Sequence, residues 1–178
     1  MLTEVSAEAL VHKHFHATYA RPPSWRDLSV TTLTPYHRSM LLTDGTVTRT
    51  LEAFVLEQVD ARCIRQYEQP AGAVEDGWLD VAPAERILVR HVDLIGSRSE
   101  TRYARAESLI ALDRLPPAFT AALTTEPEGI GAALQAAAAE SYRELLFYGR
   151  PDDAVCARCY RIFIAHKPAF VIREWFLR

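Results

Sequence analysis

Lysine is nearly missing from this 178-residue chain: Lys13 and Lys167 are the exceptions among 20 basic side chains, and the rest are arginine. Arginine keeps its charge at any physiological pH, and its planar fork matches a carboxylate, so the bias favours held anions over mobile surface charge. An excess of charge is also lacking. The 20 basic groups face 23 acidic ones, for a net charge of -3, which offers no long-range attraction to polyanions and argues against nucleic-acid or membrane-surface binding. Cysteine is limited to Cys63, Cys156 and Cys159, too few for a secreted disulfide framework. No apolar run approaches the ~20 residues that cross a bilayer. The opening MLTEVSAEAL has neither the basic flank nor the apolar stretch of a secretion signal, so a cytoplasmic location is expected. Walker, GxGxxG, HExxH and GxSxG patterns are missing, and with them the usual handles for nucleotides, catalytic metals and serine nucleophiles.

What is present is the composition of one globular domain: 49% hydrophobic, 24% charged, mean hydropathy -0.07. At this length folding buries roughly 70% of the unfolded surface, enough for an enclosed ligand pocket. No repeat, linker or internal boundary divides the chain. Residues 6–20 are expected to form a helix ended by Arg21-Pro22-Pro23, and 34–43 a second one entered through Thr34-Pro35. Asp44-Gly45 reads as a turn, with Thr46 as the cap of a third helix. From residue 57 the pattern changes to period two. Strands are expected at 59–67, 84–96, 100–112, 140–149, 159–166 and 169–177, with helical segments within 116–139 and a hairpin turn at His166-Lys167-Pro168. The fold class is therefore α+β, a single domain with a mostly antiparallel sheet and helices packed on one side.

Alternation also sorts individual side chains. On the last strand Phe170, Ile172, Glu174 and Phe176 share a face, which sets one carboxylate among three large apolar groups. Such a group needs a matching arginine or moves toward its neutral form. On ERILVRHVDL, Leu88, Arg90, Val92 and Leu94 share a face. Arg90 is then an inward cation that needs an anion, either Glu174 or a ligand carboxylate. Arg105 shares a mixed face with Tyr103, Glu107 and Leu109 and is the weaker candidate. Cys156-Ala-Arg-Cys159 has metal-ligand spacing, but the sequence has no second CxxC to complete a zinc site and no strand-then-helix context for redox chemistry. His12, His14 and His16 alternate on what reads as a solvated helix surface. No metal and no cofactor is expected.

LLTDGTVTRTLEAF, ILVRHVDL, RYARAESLIALDRLP and the closing FVIREWFL together resemble the chorismate lyase family, also called chorismate pyruvate-lyase or 4-hydroxybenzoate synthase. The resemblance runs from about residue 33 onward and leaves the first thirty residues as a helical extension outside it. It implies an antiparallel sheet flanked by helices, with the ligand enclosed beneath helical flaps. It also implies arginines that hold substrate carboxylates, here Arg90 and Arg105, and a glutamate near the ring hydroxyl, here Glu174. Val47 and Thr48, in the DGTVTR flap segment, would line the ligand.

The expected activity is cofactor-free conversion of chorismate to 4-hydroxybenzoate and pyruvate, with Glu174 and Arg90 catalytic and Arg90, Arg105, Val47 and Thr48 binding substrate. The expected partner is this small molecule alone, without nucleic acid or membrane, in a monomer or homodimer. Two alternatives are a non-catalytic aromatic-acid-binding protein, related to the effector domains of bacterial regulators, and a lyase for another enolpyruvyl or aromatic acid. A DNA-binding regulator would need a winged helix-turn-helix ahead of the matching region, and only about thirty residues precede it.

Overall fold

A computed structural model describes residues 5–74, 77–117, 119–120, 130, 133–134 and 140–178. Three helices, α1 (Ala7–His14), α2 (Pro35–Leu42) and α3 (Val47–Val55), come first among the described residues. Six strands follow: β1 (Val59–Pro70), β2 (Arg86–Gly96), β3 (Arg102–Ile110), β4 (Ser141–Gly149), β5 (Cys156–Ile164) and β6 (Lys167–Phe176). They form one antiparallel sheet in the order β1-β2-β3-β6-β5-β4. Two three-stranded meanders thus meet at a single seam, the β3–β6 ladder from Ala104–Phe176 to Ile110–Phe170.

Local chemistry accounts for the element ends. The Ser6 hydroxyl accepts from the Ala9 amide at 3.2 Å to cap α1, and Thr34 caps α2 in the same way through His37, with Pro35 preset in the first turn. Helix α1 is shorter than the expected 6–20. Beyond Phe15 the chain leaves the helix to run beside the outermost strand, where the Thr18 and Tyr19 amides donate to the carbonyls of Leu145 and Leu146. Tertiary pairing with an open sheet edge outweighs the modest stability of a short helix. The β5–β6 turn also differs, because its corner is Ala165-His166, both at positive φ, while Lys167 and Pro168 already pair with Ile164 and Phe163. The geometry is that of a tight two-residue hairpin without its usual Asn-Gly signal. The helical segments expected within 116–139 lie mostly outside the described residues.

Both faces of the sheet are covered except along β1, which is largely exposed beyond Ala61. On one, α2 and α3 supply Met40, Leu41, Val47 and Leu51 to a cluster that includes Leu94, Cys156 and Phe176. A second cluster on that face gathers Phe119 and Leu134 around Ile110, Ile162 and Phe170. The opposite face is covered by Trp25 and Leu79, which pack on Phe147, Val171 and Trp175. Helices on one side and a layer of irregular chain on the other make β6 a strand buried on both faces.

Candidate active site

Between the two clusters on the helical face lies a cavity roofed by Gly45 to Thr48, the entry to α3, and floored by Arg90, Ser108, Ile172 and Glu174. Strand pairing explains the floor. Ala106 of β3 lies opposite Glu174 of β6, which lies opposite Arg158 of β5, and in the next row Arg90, Ser108, Ile172 and Tyr160 line up. Residues two apart on a strand share a face, so all of these side chains project into one space. Val47 and Thr48 line it from the roof. The Thr46 side chain makes no capping bond, so the first-turn amides of α3, at the positive end of its dipole, receive no bond from their N-cap residue beside the cavity.

Glu174 is 6% exposed, and its carboxylate accepts two bonds, from Arg158 Nε at 2.8 Å and from the Tyr160 hydroxyl at 2.9 Å. The matching arginine that a buried glutamate calls for is therefore Arg158. Arg158 reaches further, because its Nη1 donates to the carbonyls of Leu41 at 3.2 Å and Thr43 at 3.0 Å. Those carbonyls belong to the end of α2, where unpaired acceptors and the negative dipole end favour a cation. One guanidinium thus ties the start of the roof segment to the glutamate on the floor. Burial opposes its charge, but Glu174 and Tyr160 outweigh that cost, and the Arg158 pKa is raised. Burial, and then the neighbouring Glu174, push the Tyr160 phenol up, so it stays a neutral donor. The guanidinium also stacks 4.4 Å from the centre of the Tyr160 ring.

Arg90 is 2% exposed and lines the same cavity, so Arg90, Glu174, Val47 and Thr48 are brought together. Arg105 is not. Its neighbour Ala106 takes the inward position opposite Glu174, and the pleat turns Arg105 to the other face. There its Nη1 pairs with Asp153 at 2.6 Å, and its guanidinium lies 4.7 Å from the centre of the Trp175 ring. The structure therefore does not bring Arg105, expected to bind substrate, together with Arg90 and Glu174. Arg143 of β4 lines the cavity instead.

Sequence reasoning missed Arg143, Arg158 and Tyr160. Strand β5 begins at Cys156, three residues earlier than alternation suggested, because CARC was weighed as a metal motif. The period-two run Arg158, Tyr160, Ile162, Ile164 was the available signal. On β4 a register shift between Leu145 and Phe147 breaks the alternation, which hid the inward position of Arg143. The strand also answers the CxxC question: Cys156 packs in the α2/α3 cluster and Cys159 in the cluster on the opposite face, so the two thiols cannot close on one ion. Burial pushes the Cys156 thiol up to about 12.

Comparison with known proteins agrees with this architecture. A chorismate pyruvate-lyase of Mycobacterium leprae is 33% identical over 165 residues, covering 79% of this chain and 73% of that protein. One of Mycobacterium tuberculosis is 29% identical over 157 residues, covering 79% of each. Among solved structures, PhnF from Mycobacterium smegmatis superposes with a TM-score of 0.58 at 14% identity, over 76% of this chain and 65% of that one. The effector domain of PhnF superposes with a TM-score of 0.56 at 12% identity, over 85% and 91%. At such identities the likeness is one of fold. Residues 41–178 match the family described as chorismate pyruvate-lyase Rv2949c-like, and the chain belongs to that family.

Proposed function

We propose that this protein is a carbon–oxygen lyase that converts chorismate to 4-hydroxybenzoate and pyruvate. The observation that carries the reading is a buried arginine, Arg90, and a buried glutamate, Glu174, facing one cavity beneath the entry to α3. Arg90 and the first-turn amides of α3 suit a ring carboxylate, by a charge-assisted fork and a helix N-terminus respectively. Glu174, with Arg158 and Tyr160 fixing its two oxygens, is oriented to accept a hydrogen bond from the hydroxyl at the far end of the ring. Holding both ends sets the ring in the one orientation in which elimination can proceed.

In that orientation the C4–H and C3–O bonds break, the ring becomes aromatic, and the C4 proton finishes on the methylene carbon of the departing enolpyruvate, which becomes the methyl group of pyruvate. Atoms and charge balance without an added reactant, and aromatisation supplies the driving force. Every residue invoked comes from one chain, so the chemistry suits a monomer or either subunit of a homodimer. No helix among the described residues is long and apolar enough to cross a membrane. We place the reaction in the cytoplasm, since a doubly charged substrate does not cross membranes unaided.

Incubating the purified protein with chorismate and following 4-hydroxybenzoate and pyruvate together tests the proposal. Equal amounts of both products are expected. Binding of 4-hydroxybenzoate without turnover would instead identify a ligand-binding protein of the kind the shared fold with effector domains allows.

A further inference from the structure

We infer that Arg143 and Arg158 form a second anion subsite, which takes the carboxylate of the three-carbon ether side chain of the substrate. The inference rests on the chorismate reading above and assigns the end of the ligand that Arg90 does not reach. Arg158 is almost wholly enclosed, with its side chain 3% exposed. Its Nε and Nη1 are satisfied by Glu174, Leu41 and Thr43, yet Nη2 is buried and has no hydrogen-bond partner among the described residues. Arg143 Nε is likewise buried and, among the described residues, unpartnered. A folded protein rarely leaves such donors unmet, least of all on guanidinium groups, and two of them on neighbouring strands call for an anion.

There is space for one. A second cavity of about 280 Å³ opens beside the first, walled by Leu41, Thr43, Arg143, Arg158 and Tyr160. Arg143 and Tyr160 line both cavities, so the two are neighbours across one pair of side chains. The inner cavity by itself holds about 60 Å³, well short of the ~300–1,000 Å³ typical of ligand pockets. A ligand with its ring over Glu174 must therefore extend into the second space. His14 and the exposed Asp44 stand at the margin of that space; among the described residues that line it Asp44 is the one acid, while Glu174, bonded to Arg158, faces the neighbouring cavity. The resulting pose crosses the β3–β6 seam: one carboxylate is held from β2, the hydroxyl from β6, and the other carboxylate between β4 and β5.

Two unreactive probes separate the subsites: 4-hydroxybenzoate, with one carboxylate, and 3-(1-carboxyethoxy)-4-hydroxybenzoate, an ether carrying both. Calorimetric Kd values are measured for the wild type, Arg143→Gln and Arg143→Lys. The expected result is a loss of about 10- to 100-fold in affinity of Arg143→Gln for the diacid, the scale of one hydrogen bond to a charged group. Affinity for 4-hydroxybenzoate, whose ring sits in the inner cavity that Arg143 also lines, should fall at least fivefold less than affinity for the diacid, and Arg143→Lys should recover part of the diacid loss. Equal weakening of both probes, or of neither, overturns the inference. Should the split appear in a protein that does not convert chorismate, the subsite stands and the lyase reading falls. A protein that converts chorismate without the split retains the reading and loses the subsite.

Discussion

Arg158 is the residue whose removal should cost the most. Replacing it with methionine keeps the apolar stem but removes the Nε bond to Glu174 and the Nη1 bonds to Leu41 and Thr43. A carboxylate that is 6% exposed then loses its bonded cation and keeps the Tyr160 hydroxyl, and breaking a buried pair from one side typically costs about 3–5 kcal/mol. Domains have a total stability of about 5–15 kcal/mol, so Arg158→Met should surrender a large part of it. For a chain of this length the melting temperature should fall by about 10–15 °C. Removing both partners is a different matter. In Arg158→Met/Glu174→Leu no charge is left behind, and stability should return to within about 1–2 kcal/mol of wild type, or exceed it. Urea unfolding followed by far-ultraviolet circular dichroism gives all four corners of the cycle. If Arg158→Met lies within about 1 kcal/mol of wild type, or if the two single losses simply add, the ion pair is not the link between roof and floor described above.

Glu174→Gln keeps the shape of the side chain but cannot exchange a proton, and its single-turnover formation of 4-hydroxybenzoate should slow by about 100- to 10,000-fold if Glu174 takes part in proton transfer. A near wild-type rate would leave it as an orienting acceptor, in favour of a concerted elimination. Arg90→Lys preserves charge and loses the fork, so affinity for 4-hydroxybenzoate should fall by about 1–3 kcal/mol in calorimetry; an unchanged Kd would remove Arg90 from ligand binding. Glu57, in the α3–β1 connection beside the β2–β3 hairpin, accepts from the Tyr103 and Ser99 hydroxyls, and these bonds hold its carboxyl down at about 2. Its folded pKa lies below the ordinary value, so its contribution to stability is complete above about pH 4.3 and is lost as pH falls toward 2. A carboxyl titration by NMR with a midpoint near 4.3 would contradict that.

Strand content was legible because it depends on a period of two, which survives in the bare sequence wherever one face is buried. Glu174 and Arg90 were found on that basis, each a single charge in an apolar file. Register was not legible. Whether Arg105 or Ala106 faces the cavity depends on which residue of β6 lies opposite, a relation between segments far apart in the chain. A pleat error of one residue moves a side chain through the sheet. The resemblance to the lyase family suggested Arg105 for the same reason, since a motif gives position along the chain and not orientation. Arg143 was obscured by the shift at Leu145 on β4, and α1 ended early because the carbonyls of Leu145 and Leu146 offered its last residues partners that no local propensity could anticipate.

The seam between the two meanders bears on how the protein is made as well as on how it binds. Strands β1 to β3 can pair as soon as they exist, but β3 acquires its other neighbour only after β4 and β5 have followed and β6 arrives. Until then β3 is an open edge, able to pair with another chain. Its sequence, Arg-Tyr-Ala-Arg-Ala-Glu-Ser-Leu-Ile, places Arg102, Arg105 and Glu107 along that temporary border, and charges on an unpaired edge discourage intermolecular addition. Arg105 thereby acquires a use apart from any ligand: neutral replacements on β3 should leave the finished protein's affinity for its ligand alone while lowering the yield of soluble chain during refolding. Because Arg90 comes from one meander, and Glu174, Arg158 and Tyr160 from the other, the cavity comes into being only when that border closes.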